Sequence, residues 1–143
     1  MFESDPRLDA LYRGTDYEVH WPQEPFVLHV DVASAALARC QQAHYVACSS
    51  YLTAWNPRSH PTDAERNAAA QLQLIAALTA DGYRWIAGRG RDPRGAWSEE
   101  SVLALGMDEA AALRYGRRFD QSAVLVAGAE GVPQLRWMAI SDR

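Results

Sequence analysis

Lysine is missing from this 143-residue chain: all 14 of its cationic side chains are arginine, set against 18 carboxylates and a formal net charge of −4. A protein that coats nucleic acid needs a broad excess of cations facing phosphates, so that class of function is disfavoured. A local basic site stays open, because arginine forks onto carboxylates or phosphates in a way lysine does not. Cysteine is scarce as well. Cys40 and Cys48 are too few to staple a secreted domain and too isolated for a metal knuckle, so both are expected to be reduced core residues. The four histidines, at positions 20, 29, 44 and 60, lack ligand-like spacing, and neither a metal nor a cofactor is predicted. No apolar run approaches the roughly 20 residues of a spanning helix. The start, Met1 to Pro6, has neither the basic nor the apolar region of a signal peptide. A cytoplasmic protein with no membrane segment is the expectation.

What is present is ordinary globular composition, 48% hydrophobic and 22% charged, in a length suited to one domain spanning residues 1–143. Residues 1–14 are expected to be a loosely ordered N-terminal segment. From Thr15 to Trp21 the chain alternates, with Thr15, Tyr17, Val19 and Trp21 on one side, which predicts a half-buried strand. Pro22 and Pro25 bracket a turn into a second strand over 26–30, giving a hairpin. Ser34 caps an Ala-rich helix to about Ala43, and 46–55 reads as a central strand stopped by Asn56-Pro57. A capping box of Thr62 with Glu65 opens a helix that runs to about Ala80, with Gly82 in the C′ position. Strands follow at 83–87 and 101–105, separated by a loop over Gly88–Gly95. A helix over 108–118 has Ala112, Tyr115 and Phe119 inward. Strands at 122–127 and 135–140 flank a turn at Glu130-Gly131. This order predicts an α+β fold: a mixed, mostly antiparallel sheet with about three helices packed on it.

Four stretches concentrate groups able to do chemistry. Thr53-Ala54-Trp55-Asn56-Pro57-Arg58-Ser59 joins a strand end to a helix start, where backbone N–H groups meet anions. Arg58 offers a bidentate contact there, unless Asn56-Pro57 is a plain turn and Arg58 a solvated side chain. On the following helix Asn67, Gln71, Leu74 and Leu78 share one face. Burial of its polar end would set Asn67 and Gln71 beside the loop; exposure would leave them without a role. The third stretch, Gly88 to Ser101, has neither Walker nor dinucleotide spacing. Its Arg89, Arg91 and Arg94 are able to grip an anion, Trp97 forms an apolar wall, and Glu99 or Glu100 is available as general base, with Glu100 taken as the catalytic candidate. In the fourth, Arg117 to Gln121, the Gln121 side chain either points into a pocket or caps the preceding helix. No Gly-x-Ser-x-Gly elbow is present.

Thr53 to Ser59, Asn67, the segment Gly90 to Ser101 with Asp92-Pro93, Gly95, Trp97 and Glu100-Ser101, and Phe119-x-Gln121-x-Ala123 together resemble a bacterial family of unknown function. Its members are small stand-alone proteins with a Thr-Ala-Trp-Asn-Pro signature. The resemblance spans roughly Tyr17 to Leu135 and implies no activity, substrate or catalytic residue. The loop here is more Arg-rich than the family pattern. The leading expectation is a pocket for a small or anionic, nucleotide- or phosphate-like ligand, with an enzymatic role open. Asn56, Arg58, Asn67, Gln71, Glu100 and Gln121 would build it, and Trp55 and Trp97 would wall it. A protein-interaction module that uses the Trp and Tyr residues as anchors is the alternative. Recognition of single-stranded nucleic acid comes third, disfavoured by charge.

Overall fold

In the computed structural model, which describes residues 5–138, the chain runs α1 (Pro6–Arg13), β1 (Asp16–Val19), β2 (Phe26–Leu28), α2 (Ala35–Ala43) and β3 (Ser49–Leu52). A turn at Pro57–Ser59 leads to α3 (Ala64–Ala80), β4 (Arg84–Arg91), β5 (Ser98–Leu105), α4 (Glu109–Arg118), β6 (Ala123–Ala127) and β7 (Gln134–Trp137). The strands make one seven-stranded sheet in the order β2-β1-β4-β5-β3-β6-β7. Every pairing is antiparallel. The fold is α+β, as the sequence predicts, with four helices and no parallel pair among the described residues.

The sheet curls. Beyond β2, Asp31 N donates to Pro133 O at 2.7 Å and Ser34 N to Gly131 O at 2.8 Å, which ties the two edges of the sheet together at one end. Leu28 from one edge and Leu135 from the other therefore meet in a single inner cluster with Tyr17, Tyr51, Leu103 and Leu125. Side chains one position along each strand point the other way. Leu52, Val102, Ala104, Val124 and Val126 pack outward beneath α3 and α4 in a second cluster. The helices are amphipathic to match, α3 burying Asn67, Gln71, Leu74, Ala77 and Leu78 and α4 burying Ala111, Ala112, Tyr115 and Gly116.

The structure departs from the sequence reading at several places for local reasons. Residues expected to be loosely ordered form α1, because Asp5 accepts a hydrogen bond from Arg7 N and Pro6 supplies a preset first turn. The cap of α3 is Asp63, which accepts from Arg66 N at 2.9 Å, rather than the Thr62 capping box. Its far end follows the spacing, with Gly82 at φ +82°. The largest correction concerns Gly88–Gly95. Its first half is strand, because Gly-Arg-Gly-Arg is itself a period-two pattern that buries the glycines and exposes Arg89. Only the turn from Asp92 to Trp97 is loop, closed by Asp92 N to Trp97 O at 3.1 Å. The central strand is shorter than expected, and positions 139 and 140 of the last one lie outside the described residues.

Candidate functional site

The segment from Thr53 to Thr62 leaves β3 as an irregular lip over the open end of the curled sheet. Three of its non-glycine residues hold left-handed backbones: Asn56 at φ 47°, Arg58 at 56° and Ser59 at 62°. Each such conformation costs about 1 kcal/mol or more and persists only where the surroundings over-determine it. Here they do. Asn67, 2% exposed, accepts from Asn56 N at 2.9 Å and donates through Nδ2 to Asn56 Oδ1 at 2.9 Å and Thr62 O at 3.1 Å. Asn56 Oδ1 also accepts from Thr62 N. Gln71 accepts from Ala54 N at 3.0 Å, and Gln121 Nε2 donates to Trp55 O at 3.1 Å. Thr53 Oγ1 fastens the lip to β5 through Glu100 O at 2.7 Å. Buried amides thus take up backbone groups that helix and sheet leave unpaired.

Beneath this lip lies a cavity of about 320 Å³ on the inner face of the sheet. Its wall is mostly apolar and aromatic, with Tyr12 from α1, Tyr17 from β1, Tyr51 from β3 and Trp97 from the β4–β5 turn. Two glycines of β4 differ in their surroundings, and only Gly90 lines the cavity. A Cβ on Gly88 would lie 2.2 Å from Glu18 O and 2.8 Å from the Tyr51 hydroxyl, so glycine is required for Tyr51 to reach Glu18 O, which it does at 2.7 Å. A Cβ on Gly90 would meet nothing nearer than Ser101 Oγ at 3.8 Å, and the missing side chain leaves part of the hollow open. The Tyr17 hydroxyl donates to Tyr12 O at 2.7 Å.

Glu99 is the charged residue of this wall, directly across from Gly90 in the β4–β5 register. Burial in apolar surroundings pushes its carboxyl up to about 7, and the Asn56 side-chain amide pulls the other way. Burial likewise raises the Tyr12 phenol, although the hydroxyls of Ser59 and Ser122 oppose it. Those two serines lie 3.0 Å apart, one on the lip and one at the start of β6. A carboxyl that titrates near neutrality is able to give or take a proton, or to hydrogen-bond a guest in either state.

The four stretches singled out in the sequence do converge, but with divided roles. Asn56 and Trp97 line the cavity; Asn67, Gln71 and Gln121 lie behind it and hold the lip. Trp55, Arg58 and Glu100 do not line it. Arg58 Nε is 4.0 Å from Asp120 Oδ1 with both side chains about half exposed. Glu100 is exposed on the opposite face of β5, where it neighbours Arg89. Arg91 faces Glu18, Nε to Oε2 3.6 Å, and Arg94 sits exposed on the hairpin turn, so none of the three arginines forms an anion grip in the cavity wall. The residues missed were Tyr12, Tyr17, Tyr51 and Gly90. The β5 alternation, with Glu99, Ser101, Leu103 and Leu105 on one side, carries the signal that selects Glu99 over Glu100. Among the described residues no cluster of three or more His, Cys, Asp or Glu side chains is placed to hold a metal ion, and no helix is long and apolar enough to cross a membrane.

A curled antiparallel sheet backed by helices, with a lipped aromatic cavity around one carboxyl, defines a small α+β protein with a ligand-sized hollow. The chain belongs to the protein-of-unknown-function family DUF3293, whose model matches residues 52–124. That span contains the lip, α3, the β4–β5 hairpin and α4, whereas Tyr12 and Tyr17 lie outside it. No curated protein and no solved structure matches the chain.

Proposed function

We propose that the inner cavity binds a small molecule with an apolar body and one polar group, and that Glu99 is the side chain that engages that group. The observation carrying this reading is a single carboxyl set in an otherwise uncharged, mostly apolar wall with four aromatic side chains, Tyr12, Tyr17, Tyr51 and Trp97. A volume of about 320 Å³ suits a ligand of fragment to small-metabolite size. A phosphate-like anion is less well served, because Arg58, Arg89, Arg91 and Arg94 all lie away from the wall. The strained lip supports the same reading, since left-handed non-glycine residues gather where a site must be held in shape. A carboxyl near neutrality would also suit proton transfer on a bound substrate, which keeps an enzymatic role within the proposal. A bacterial, cytoplasmic setting belongs to it as well, and the two free cysteines support a reducing compartment.

The test is a fragment screen read by protein NMR, run in parallel on the Gly90→Leu variant. A leucine there would grow into the hollow rather than into backbone. Hits that perturb Glu99, Tyr17 and Trp97 and disappear in Gly90→Leu are expected. Hits that bind the variant equally well would place the binding site elsewhere and sink the proposal.

A further inference from the structure

We infer that the ligand is an organic cation, an amine whose ammonium group pairs with Glu99 while its apolar body lies among Tyr12, Tyr17, Tyr51 and Trp97. This rests on the cavity being a ligand site and names the chemistry it selects. The first ground is the missing counter-charge. Three other glutamates sit beside guanidinium groups, Glu18 with Arg91 at 3.6 Å, Glu24 with Arg39 at 2.5 Å and Glu109 with Arg136 at 2.9 Å, and Glu65, Glu100 and Glu130, which have no such ion pair, are exposed to water. Glu99 is partly withdrawn from water into a wall that contains no Arg or His. A carboxylate so placed is costly until a cation joins it, and that cost is returned to whichever guest brings the charge.

The second ground is the kind of surface around it. Aromatic ring faces carry negative charge density and attract ammonium groups, more strongly where water is displaced. The Tyr17 and Tyr51 hydroxyls are already committed to Tyr12 O and Glu18 O, so these residues offer rings rather than free donors. The groups that face Glu99 from the packed elements are the Asn56 amide on the lip and the phenols of Tyr12, Tyr17 and Tyr51, none of them cationic. An anionic guest would meet Glu99 as a like charge. A neutral guest would gain a hydrogen bond but leave the charge uncompensated.

The test compares three probes of one shape on the full chain by calorimetry at about pH 8: 2-phenylethylamine, 2-phenylethanol and phenylacetate. The amine should bind about tenfold tighter than the alcohol, with phenylacetate weakest. Glu99→Gln should erase the amine's preference over the alcohol. That variant removes a buried charge and should fold at least as well as the parent. The unmodified protein provides a second readout, since amine affinity should fall about tenfold or more as pH drops to about 5 and Glu99 takes up a proton. An alcohol or carboxylate that binds as tightly as the amine would overturn the cation and leave the cavity as a binding site. An amine indifferent to Glu99→Gln would overturn it too. If none of the three binds, both the cation and the cavity reading fall.

Discussion

The lip and the cavity beneath it are neighbours built on opposite terms. In the lip, Asn67 alone makes three hydrogen bonds to the loop, and Asn56 Oδ1 accepts two. In the cavity, Glu99 is pushed toward its neutral form by burial and has no cationic neighbour in the wall. The Asn56 and Asn67 amides therefore hold the fold together, whereas the Glu99 carboxyl in the cavity works against it. A destabilising group that the surrounding fold supports is what a binding site demands and a scaffold does not. Substitutions in the two regions should accordingly change stability in opposite directions.

The largest effect should come from β4, whose Gly90 lines the hollow and whose Gly88 packs against β1 and Tyr51. Gly88→Ala would drive a methyl into Glu18 O and the Tyr51 hydroxyl, displacing β1 from β4 at a cost of about 3 kcal/mol. Gly90→Ala, two residues away on the same face, should change stability by only about 0.5 kcal/mol, since its Cβ meets ordinary contacts. Urea denaturation of both variants distinguishes wall from hollow. Equal losses would mean that Gly90 is packed and that the hollow is smaller than it looks.

Next is Asn67→Ala. It strips partners from Asn56 N, Asn56 Oδ1 and Thr62 O, groups that sit under the lip, and should cost about 2 to 3 kcal/mol. Hydrogen exchange at the Asn56 and Thr62 amides should rise with it. A loss confined to ligand affinity, with stability intact, would mean that the lip belongs to the cavity chemically and erase the contrast.

Glu99→Gln should move stability the other way. The folded-state carboxyl is pushed up to about 7 from the ordinary glutamate value of 4.5, so the folded protein holds the proton more tightly than the unfolded chain does. The destabilisation is therefore absent below about pH 4.5, grows as pH rises toward 7 and is complete above it. Relative to the parent, the variant should gain on the order of 1 to 2 kcal/mol at about pH 8, less than the full conversion because the side chain reaches water, and nothing at about pH 4. Denaturation curves at the two pH values decide it. A variant less stable than the parent at about pH 8 would show that Glu99 holds the fold together.

How far this arrangement was legible depended on the range of the interactions involved. Local periodicity and capping located α3, its end at Gly82 and its polar stripe at Asn67 and Gln71, because those depend on neighbours three or four residues away. Of the aromatic wall only Trp97 showed, since Tyr12, Tyr17 and Tyr51 meet it only through the strand order β1-β4-β5-β3, which no local pattern encodes. Gly88 to Arg91 misled for a different reason. Glycine signals a turn when read by composition, but at alternate positions it signals close approach within a sheet, as the Tyr51 hydroxyl against Gly88 demonstrates. The choice between Glu99 and Glu100 turned on strand parity, one residue apart and facing opposite sides of β5.

Arg58→Ala should have the smallest effect and tests the boundary most directly. Its guanidinium is 4.0 Å from the Asp120 carboxylate, and both side chains are about half exposed. Exposed pairs of this kind contribute about 0.5 kcal/mol or less. Alanine keeps a Cβ at φ 56°, so the backbone strain of the lip is unchanged and the substitution reads out charge alone. Stability should shift by no more than that amount, and the affinity of any cavity ligand should hold within about twofold, because the side chain does not line the hollow. If instead an anionic ligand binds the parent and is lost on Arg58→Ala, the lip supplies charge to the guest. The division between a structural lip and a chemical cavity would then be wrong, and the anion-binding role suggested by Asn56-Pro57-Arg58 would replace it.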